Sequence, residues 1–259
     1  PTPSIITATV GPLVLGFAFQ QLLLGIIFAQ ARRYYVGCAA REEKVYSFRV
    51  LVGLMVVLNV LEGVMDIHVL YRTTVTHYGD FQYFDMQTWT MWAEPGITAL
   101  IGFLAQLFFI ERCARLSNYS PYVIAGLSVL ALLSLGSGVA VSISFSKVKL
   151  FSLLAKIPLP IAFWLISTAV TDLAITAILC VALWRSRRKT SYARTETVIS
   201  KLIRLSIETS LVTAVVALVN LGLYFGMITT AYHLLPQFSI CRVYTITVLV
   251  TLMTRDALR

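Results

Sequence analysis

Seven apolar runs, each about 20 residues long, restrict what this chain can fold into. A helix of about 20 residues spans the hydrocarbon core of a bilayer, which is about 30 Å thick. Because 58% of the 259 residues are hydrophobic and only 13% are charged, a soluble domain of this length could not bury the apolar surface. The sequence therefore predicts an all-α polytopic membrane protein, a single seven-transmembrane-helix bundle that covers residues 1–259. The predicted spans are approximately residues 5–29, 49–71, 91–111, 122–145, 160–184, 205–228 and 237–254.

Basic residues are divided unevenly between the two sides of the predicted membrane. Sixteen of the 21 Lys and Arg residues follow spans one, three, five and seven, and five lie elsewhere. The positive-inside rule then predicts the N-terminus outside or in a lumen and the C-terminus in the cytoplasm. We interpret the net charge of +9 as a topology signal and expect no nucleic-acid partner. The expected partners are the lipid bilayer and a small hydrophobic molecule, in the endoplasmic reticulum or the plasma membrane. Nothing in the sequence predicts an oligomeric state.

Polar side chains interrupt span two in a regular pattern, in the stretch NVLEGVMDIH (59–68). Asn59, Glu62 and Asp66 are spaced i, i+3 and i+7, so they fall within an arc of about 60° on a helix. Carboxylates in the hydrocarbon core are costly unless something neutralises or uses them. We therefore expect this polar stripe to face the interior of the bundle.

Further charged residues are predicted at similar depths in other spans. Glu94 lies near the beginning of span three, in the same outer half of the membrane as Glu62 and Asp66. Asp172 lies near the middle of span five, close to the predicted midplane. Arg242 enters span seven from the outer side, where it is the expected counter-charge for the acids.

This constellation points to acid chemistry inside the membrane. Two acids one turn apart in a low dielectric cannot both ionise cheaply, so one is expected to stay a neutral carboxylic acid. Such an acid could protonate an alkene or epoxide, and aromatic rings could stabilise the resulting carbocation. The predicted catalytic residues are Glu62, Asp66, Glu94 and Asp172. The predicted substrate-binding residues are Asn59, His68, Tyr71, Trp89, Trp92, Gln106, Trp164, Arg242 and Tyr244. The alternative is that the acids only hold the bundle together, through Arg242, His68 and backbone groups.

Six segments spread along the chain carry a family resemblance. They are GPLVLG (11–16), IHVLY (67–71), AEPGITALIGFLAQLFF (93–109) with RLS (115–117), LGSGVAVSI (135–143), FWLISTAVTDLAITAILCVALWRSR (163–187) and RVYTITVLVTLMTR (242–255). Together they resemble a large family of seven-helix membrane proteins from mushroom-forming fungi. The resemblance implies the fold and topology, and no activity is assigned to the family.

The polar interior departs from the pattern of that family. An Asp followed three residues later by a His is usual in its span two, and Asn59 with Glu62 matches only the spacing. Asp66 stands where an aliphatic residue is common, and Glu208 where the family looks to have an Asn. Ile246 and Met253 replace two asparagines of span seven. These changes favour a specialised function.

Three functions are compatible with these features. The favoured one is an integral-membrane enzyme, similar in size and topology to small seven-helix fungal terpene cyclases, which protonate a lipid-soluble polyene to cyclise or isomerise it. It needs no cofactor, although a weaker variant uses Asn59, Glu62 and Asp66 as magnesium ligands for an allylic diphosphate, with Arg72 and Arg242 on its phosphates. The second is a receptor or sensor for a small hydrophobic ligand, and ERC (111–113) resembles the switch motif of rhodopsin-like receptors. The third and least favoured is a proton-coupled carrier.

Overall fold

Seven long α-helices make up most of the chain in the structure, which is a computed structural model. It describes residues 3–40, 46–77, 86, 88–117, 121–148, 158–189, 193–226 and 234–257. The helices are α1 (Pro3–Ala40), α2 (Tyr46–Tyr71), α3 (Trp89–Ser117), α4 (Pro121–Lys147), α5 (Pro158–Lys189), α6 (Ala193–Gly226) and α7 (Leu234–Ala257). Each contains a stretch long and apolar enough to cross a membrane. The predicted all-helical bundle of seven apolar helices is confirmed, and it supports an integral membrane protein.

The helices form a closed ring, and α3 also contacts helices on the far side of the ring. Each helix packs against the next in the chain, and α7 closes the ring by packing against α1. Helix α3 also contacts α5, α6 and α7, and α2 contacts α7. We call the end of the bundle at which α1 begins the N-terminal end; α3, α5 and α7 also begin there. The closest-packed helix is α7, with 67% of its apolar stretch buried, against 28% for α4.

The helices are longer than the predicted spans. Helix α1 continues to Ala40, well past the predicted end at residue 29, and α6 begins at Ala193, before the predicted residue 205. Hydropathy identifies the length of helix that lipid surrounds, whereas backbone hydrogen bonds can continue into polar sequence beyond it. The number and order of the spans were therefore predictable, and the helix ends were not.

A proline inside α3 is accommodated by a side chain of α4. Pro95 lies one and a half turns into the helix and has no N–H to donate, which disturbs the backbone hydrogen bonds around it. Ser142 donates to the backbone oxygen of Trp92 at 2.5 Å and accepts from the backbone N–H of Gly96 at 3.1 Å. Neighbouring helices often bind backbone groups that a membrane proline leaves free. This contact joins α3 to α4 at the N-terminal end.

Candidate functional site

The most polar part of the bundle interior is centred on Arg242 of α7, which has 0% of its surface exposed. Its Nη1 donates to Asn59 Oδ1 at 2.7 Å and to Glu62 Oε2 at 3.1 Å. Its Nη2 lies 3.9 Å from Asp66 Oδ2, which is ion-pair distance. Asn59, Glu62 and Asp66 are all buried. These four residues are called the arginine cluster below. The predicted stripe of α2 therefore faces the interior, with the predicted counter-charge against it.

Uncharged side chains from three helices support the arginine cluster. Thr98 of α3 donates to Glu62 Oε1 at 2.5 Å. Asn59 donates to Thr245 Oγ1 of α7 at 2.8 Å and to the backbone oxygen of Met55 at 2.7 Å. Gln20 of α1 donates to Asp66 Oδ2. Both oxygens of Glu62 are consequently engaged, and the cluster joins α1, α2, α3 and α7.

The hydrogen bonding of Arg242 is incomplete. A guanidinium has five N–H donors, and burying one without an acceptor costs free energy. Within the part of the chain that the structure describes, neither Nε nor Nη2 of Arg242 makes a hydrogen bond. Glu94, which is half-buried on α3, interacts electrostatically with Glu62, Asp66 and Arg242. Among the described residues, this region therefore holds three carboxyl groups and one guanidinium with spare donors.

A second buried polar cluster lies on the opposite face of α7. Asp172 of α5 accepts from Gln106 Nε2 at 3.0 Å and from the Tyr244 hydroxyl at 2.5 Å. All three residues are at most 3% exposed. Gln106 Oε1 has no hydrogen-bond partner among the described residues. Asp172, Gln106 and Tyr244 are called the aspartate cluster below. It joins α3, α5 and α7 through neutral donors.

Both clusters contact the same face of α3. Thr98, Gly102 and Gln106 follow at intervals of four residues, so Thr98 and Gln106 are separated by about 12 Å along the helix. Gly102 lies between them against the Tyr244 ring, and a Cβ atom on it would be 3.4 Å from Tyr244 Cε2. A cavity of about 20 Å³ adjoins this glycine. Its lining includes Thr98 from the contacts of the arginine cluster and Tyr244 from the aspartate cluster.

Other residues of the predicted site lie away from both clusters. His68 is exposed, as are Tyr71, Trp89 and Trp92. His68 is two positions beyond Asp66, and a rotation of about 200° places it on the opposite face of α2. The aromatic residues lie near the N-terminal end, where an interfacial belt of Trp and Tyr is expected in a membrane protein. The structure does not bring these four residues to the buried acids. Trp164, by contrast, is buried and lines the cavity.

The residues suggested for magnesium do not fit that ion. Magnesium requires oxygen ligands arranged octahedrally around a free centre. The positively charged guanidinium of Arg242 already lies against Asn59 and Glu62 and within 3.9 Å of Asp66, so it occupies the place that the magnesium ion would need.

Glu208, another position at which the chain departs from the family pattern, lies away from the site. It is exposed and pairs with Arg204 at 2.9 Å one turn away.

Three residues of the network were missing from the predicted site. Gln20, Thr98 and Thr245 bind the polar groups of α2 directly. Gln20 had a sequence signal, because a glutamine among the apolar residues of span one needs a polar partner. Thr98 and Thr245 had none, because threonine is common in membrane helices, where its hydroxyl can bond to its own backbone.

Comparison with known protein families gives a match in the second half of the chain. Residues 168–257 match a family described only as a family of unknown function (DUF6534). The matched stretch includes Asp172, Arg242 and Tyr244. No curated protein matches the chain, and no solved structure does. The comparisons relate part of α5 and all of α6 and α7 to an uncharacterised family and assign no activity.

Proposed function

We propose that this protein is a seven-helix membrane receptor or sensor for a small lipid-soluble ligand, with its N-terminus outside. Helix α7 is the element that changes position when the ligand binds. The proposal rests on the way in which buried polar contacts hold this helix.

The observation that carries the proposal is the concentration of polar contacts within four consecutive residues of α7. Arg242 and Thr245 bind the polar stripe of α2, and Tyr244 binds Asp172 of α5. An α-helix held by directional contacts on two faces cannot rotate or slide without breaking them. Where packed contacts of this kind have two stable arrangements, a small local change becomes movement of a whole helix.

The incomplete pairing of Arg242 supports a second arrangement. Its Nη2 is 3.9 Å from Asp66, which is outside hydrogen-bonding distance, and its Nε is without an acceptor among the described residues. A small rotation of α7 could exchange the bond to Glu62 for one to Asp66 at little net cost. A ligand that binds one arrangement more tightly would then shift the population toward it.

The experiment that tests this proposal measures the position of α7 directly. Spin labels are placed at Val181→Cys on α5 and Thr254→Cys on α7, with Cys180→Ser, and electron–electron distances are measured in nanodiscs. Arg242→Gln should move or broaden the distance distribution, because α7 loses its charged contact with α2. Arg204→Gln removes an exposed ion pair and is the matched control. A folded Arg242→Gln protein with the wild-type distribution would contradict the proposal.

A second candidate is the acid-initiated cyclase or isomerase favoured by the sequence, and the environment of Asp172 favours it. No basic side chain is among the hydrogen-bond partners of this buried carboxyl within the described residues, and its donors are Gln106 and Tyr244. A carboxyl group that is buried without a basic partner is suited to holding a proton, because a low dielectric disfavours its charged form. Trp164 and Tyr244 line the adjoining cavity and offer aromatic surface.

The enzyme candidate is tested by expression in a yeast rich in isoprenoid precursors. Lipid extracts from wild type, Asp172→Asn, Glu62→Gln and Asp66→Asn are compared by mass spectrometry at equal protein level. A new terpenoid that disappears in Asp172→Asn would establish acid catalysis. Well-folded wild type that makes no new compound from polyenes of several lengths would exclude this candidate in favour of the receptor.

A further inference from the structure

The cavity beside Gly102 has the size of an internal water site. Its volume of about 20 Å³ exceeds the roughly 10–15 Å³ that one water molecule requires. It is bounded by residues of five helices, α3 to α7, and no charged side chain is among the described residues that line it. A cavity of this size stays dry if it is apolar and fills if it offers polar partners. Its contents therefore depend on the lining.

The lining offers both hydrogen-bond donors and acceptors. Trp164 is 6% exposed, and its indole N–H, a donor only, makes no hydrogen bond to the described residues. Thr98 donates its hydroxyl hydrogen to Glu62, so its oxygen lone pairs are left to accept. The Gln237 oxygen accepts from Asn220 at 2.5 Å, which leaves its NH₂ group as a further donor. Water, which both donates and accepts, matches this set of groups.

We propose that this cavity binds one long-lived water molecule, which accepts a hydrogen bond from the Trp164 indole and donates one to Thr98. The water extends the arginine cluster to α5, because Thr98 in turn donates to Glu62. The neutral Trp164 indole of α5 is thereby linked, through the water and Thr98, to the ion pair between α2 and α7. This inference goes beyond the receptor proposal and does not depend on it.

Gly102→Ala is a substitution that displaces the water without distorting the helices. The added methyl group would lie 3.4 to 3.9 Å from ring carbons of Tyr244, which is ordinary van der Waals contact. It would enter the cavity and leave too little room for water. Gly136→Ala on α4 is the matched control, because a Cβ atom there meets nothing within 4 Å.

The test is nuclear magnetic resonance of the full chain in nanodiscs with ¹⁵N-labelled tryptophan. The chain has four tryptophans, and Trp164→Phe assigns the indole resonance of interest. The Trp164 indole proton should show cross-relaxation with water of the sign given by a water bound for longer than about a nanosecond. The cross-peak should fall to the noise level in Gly102→Ala and persist in Gly136→Ala.

Two results would overturn the proposal. One is the absence of a water cross-peak at Trp164 in the wild type, and the other is its persistence at full intensity in folded Gly102→Ala. Should Gly102→Ala not fold, Thr98→Val is used instead, since it removes the acceptor and preserves the side-chain shape. The proposal then requires the Trp164 indole resonance to move, and an unchanged resonance would contradict it.

Discussion

The arginine cluster and the aspartate cluster use the same helix and stabilise buried carboxyl groups in opposite ways. Arg242 and Tyr244 are two residues apart on α7 and reach toward different neighbours. Around Arg242, a full positive charge compensates the carboxylates of α2 at 3.1 and 3.9 Å. Around Asp172, two neutral donors bind the carboxyl group instead.

This difference predicts different responses to substitution. An ion pair in a low-dielectric interior depends on both partners, because removal of one leaves the other buried and uncompensated. A carboxyl group bound by neutral donors requires only that hydrogen bonds be preserved. The arginine cluster should therefore be sensitive to changes of charge, and the aspartate cluster to changes of hydrogen-bonding geometry.

The largest expected effect is that of Arg242→Met. Met preserves much of the apolar volume but leaves Glu62 and Asp66 buried without a cation, at a cost of about 3–5 kcal/mol. Unfolding by titration with SDS, followed by helical circular dichroism, measures the change in free energy of unfolding.

Two variants control for the charge argument. Arg204→Met removes an exposed ion pair and should change the free energy by less than about 1 kcal/mol. The triple variant Arg242→Met, Glu62→Gln, Asp66→Asn should recover part of the loss, because no uncompensated charge remains. If the triple variant is as unstable as Arg242→Met alone, packing and not charge explains the loss.

A pair of isosteric substitutions compares the two clusters directly. Glu62→Gln keeps the shape but removes a negative charge from Arg242, and we expect a loss of about 2–3 kcal/mol. Asp172→Asn should cost less than about 1 kcal/mol, because the new side-chain amide can accept from Tyr244 and donate to Gln106 Oε1 once the Gln106 amide flips. Equal losses in the same SDS titration would show that the clusters do not differ as proposed.

The comparison also shows what was predictable from sequence. The seven helices followed from the length of the apolar runs, and the buried stripe of α2 followed from the spacing of Asn59, Glu62 and Asp66 on a helix. Arg242 was predictable as their partner because a charge in a membrane span must find a counter-charge near its own depth. Each of these inferences depends on the pattern within one helix or on depth in the membrane, and none requires the rotation of one helix relative to another.

The aspartate cluster was only partly predictable. Asp172, Gln106 and Tyr244 were each candidates, but their direct contact depends on how α3, α5 and α7 are rotated relative to one another. The rotation of each helix about its axis is set by packing across the bundle. One example is Gly102 of α3, whose missing side chain leaves room for the Tyr244 ring of α7. The same reason explains why His68 and Trp89, with suitable chemistry and depth, face away from the acids.

Tyr244→Phe should have an intermediate effect. It removes the hydroxyl that donates to Asp172 at 2.5 Å and leaves Gln106 as the remaining side-chain donor, at a cost of about 1–2 kcal/mol. Combined with Asp172→Ala, which removes the acceptor, it should give a coupling energy of at least about 0.5 kcal/mol in a double-mutant cycle. Strict additivity in the thermal or SDS unfolding of these variants would mean that the two side chains do not interact in solution.

The smallest effect expected at the arginine cluster is that of Thr98→Val, which tests whether hydroxyl support of the ion pair matters. Valine has the shape of threonine but cannot donate to Glu62 Oε1, and we expect a loss of about 1 kcal/mol. Thr254→Val on α7 is the matched control, because its hydroxyl bonds to the backbone oxygen of Val250 in its own helix. A loss at Thr98 clearly above that at Thr254, in the same SDS titration, would show that Thr98 supports the charged contact between α2 and α7. Equal losses would show that the Thr98 hydroxyl of α3 does not support the arginine cluster.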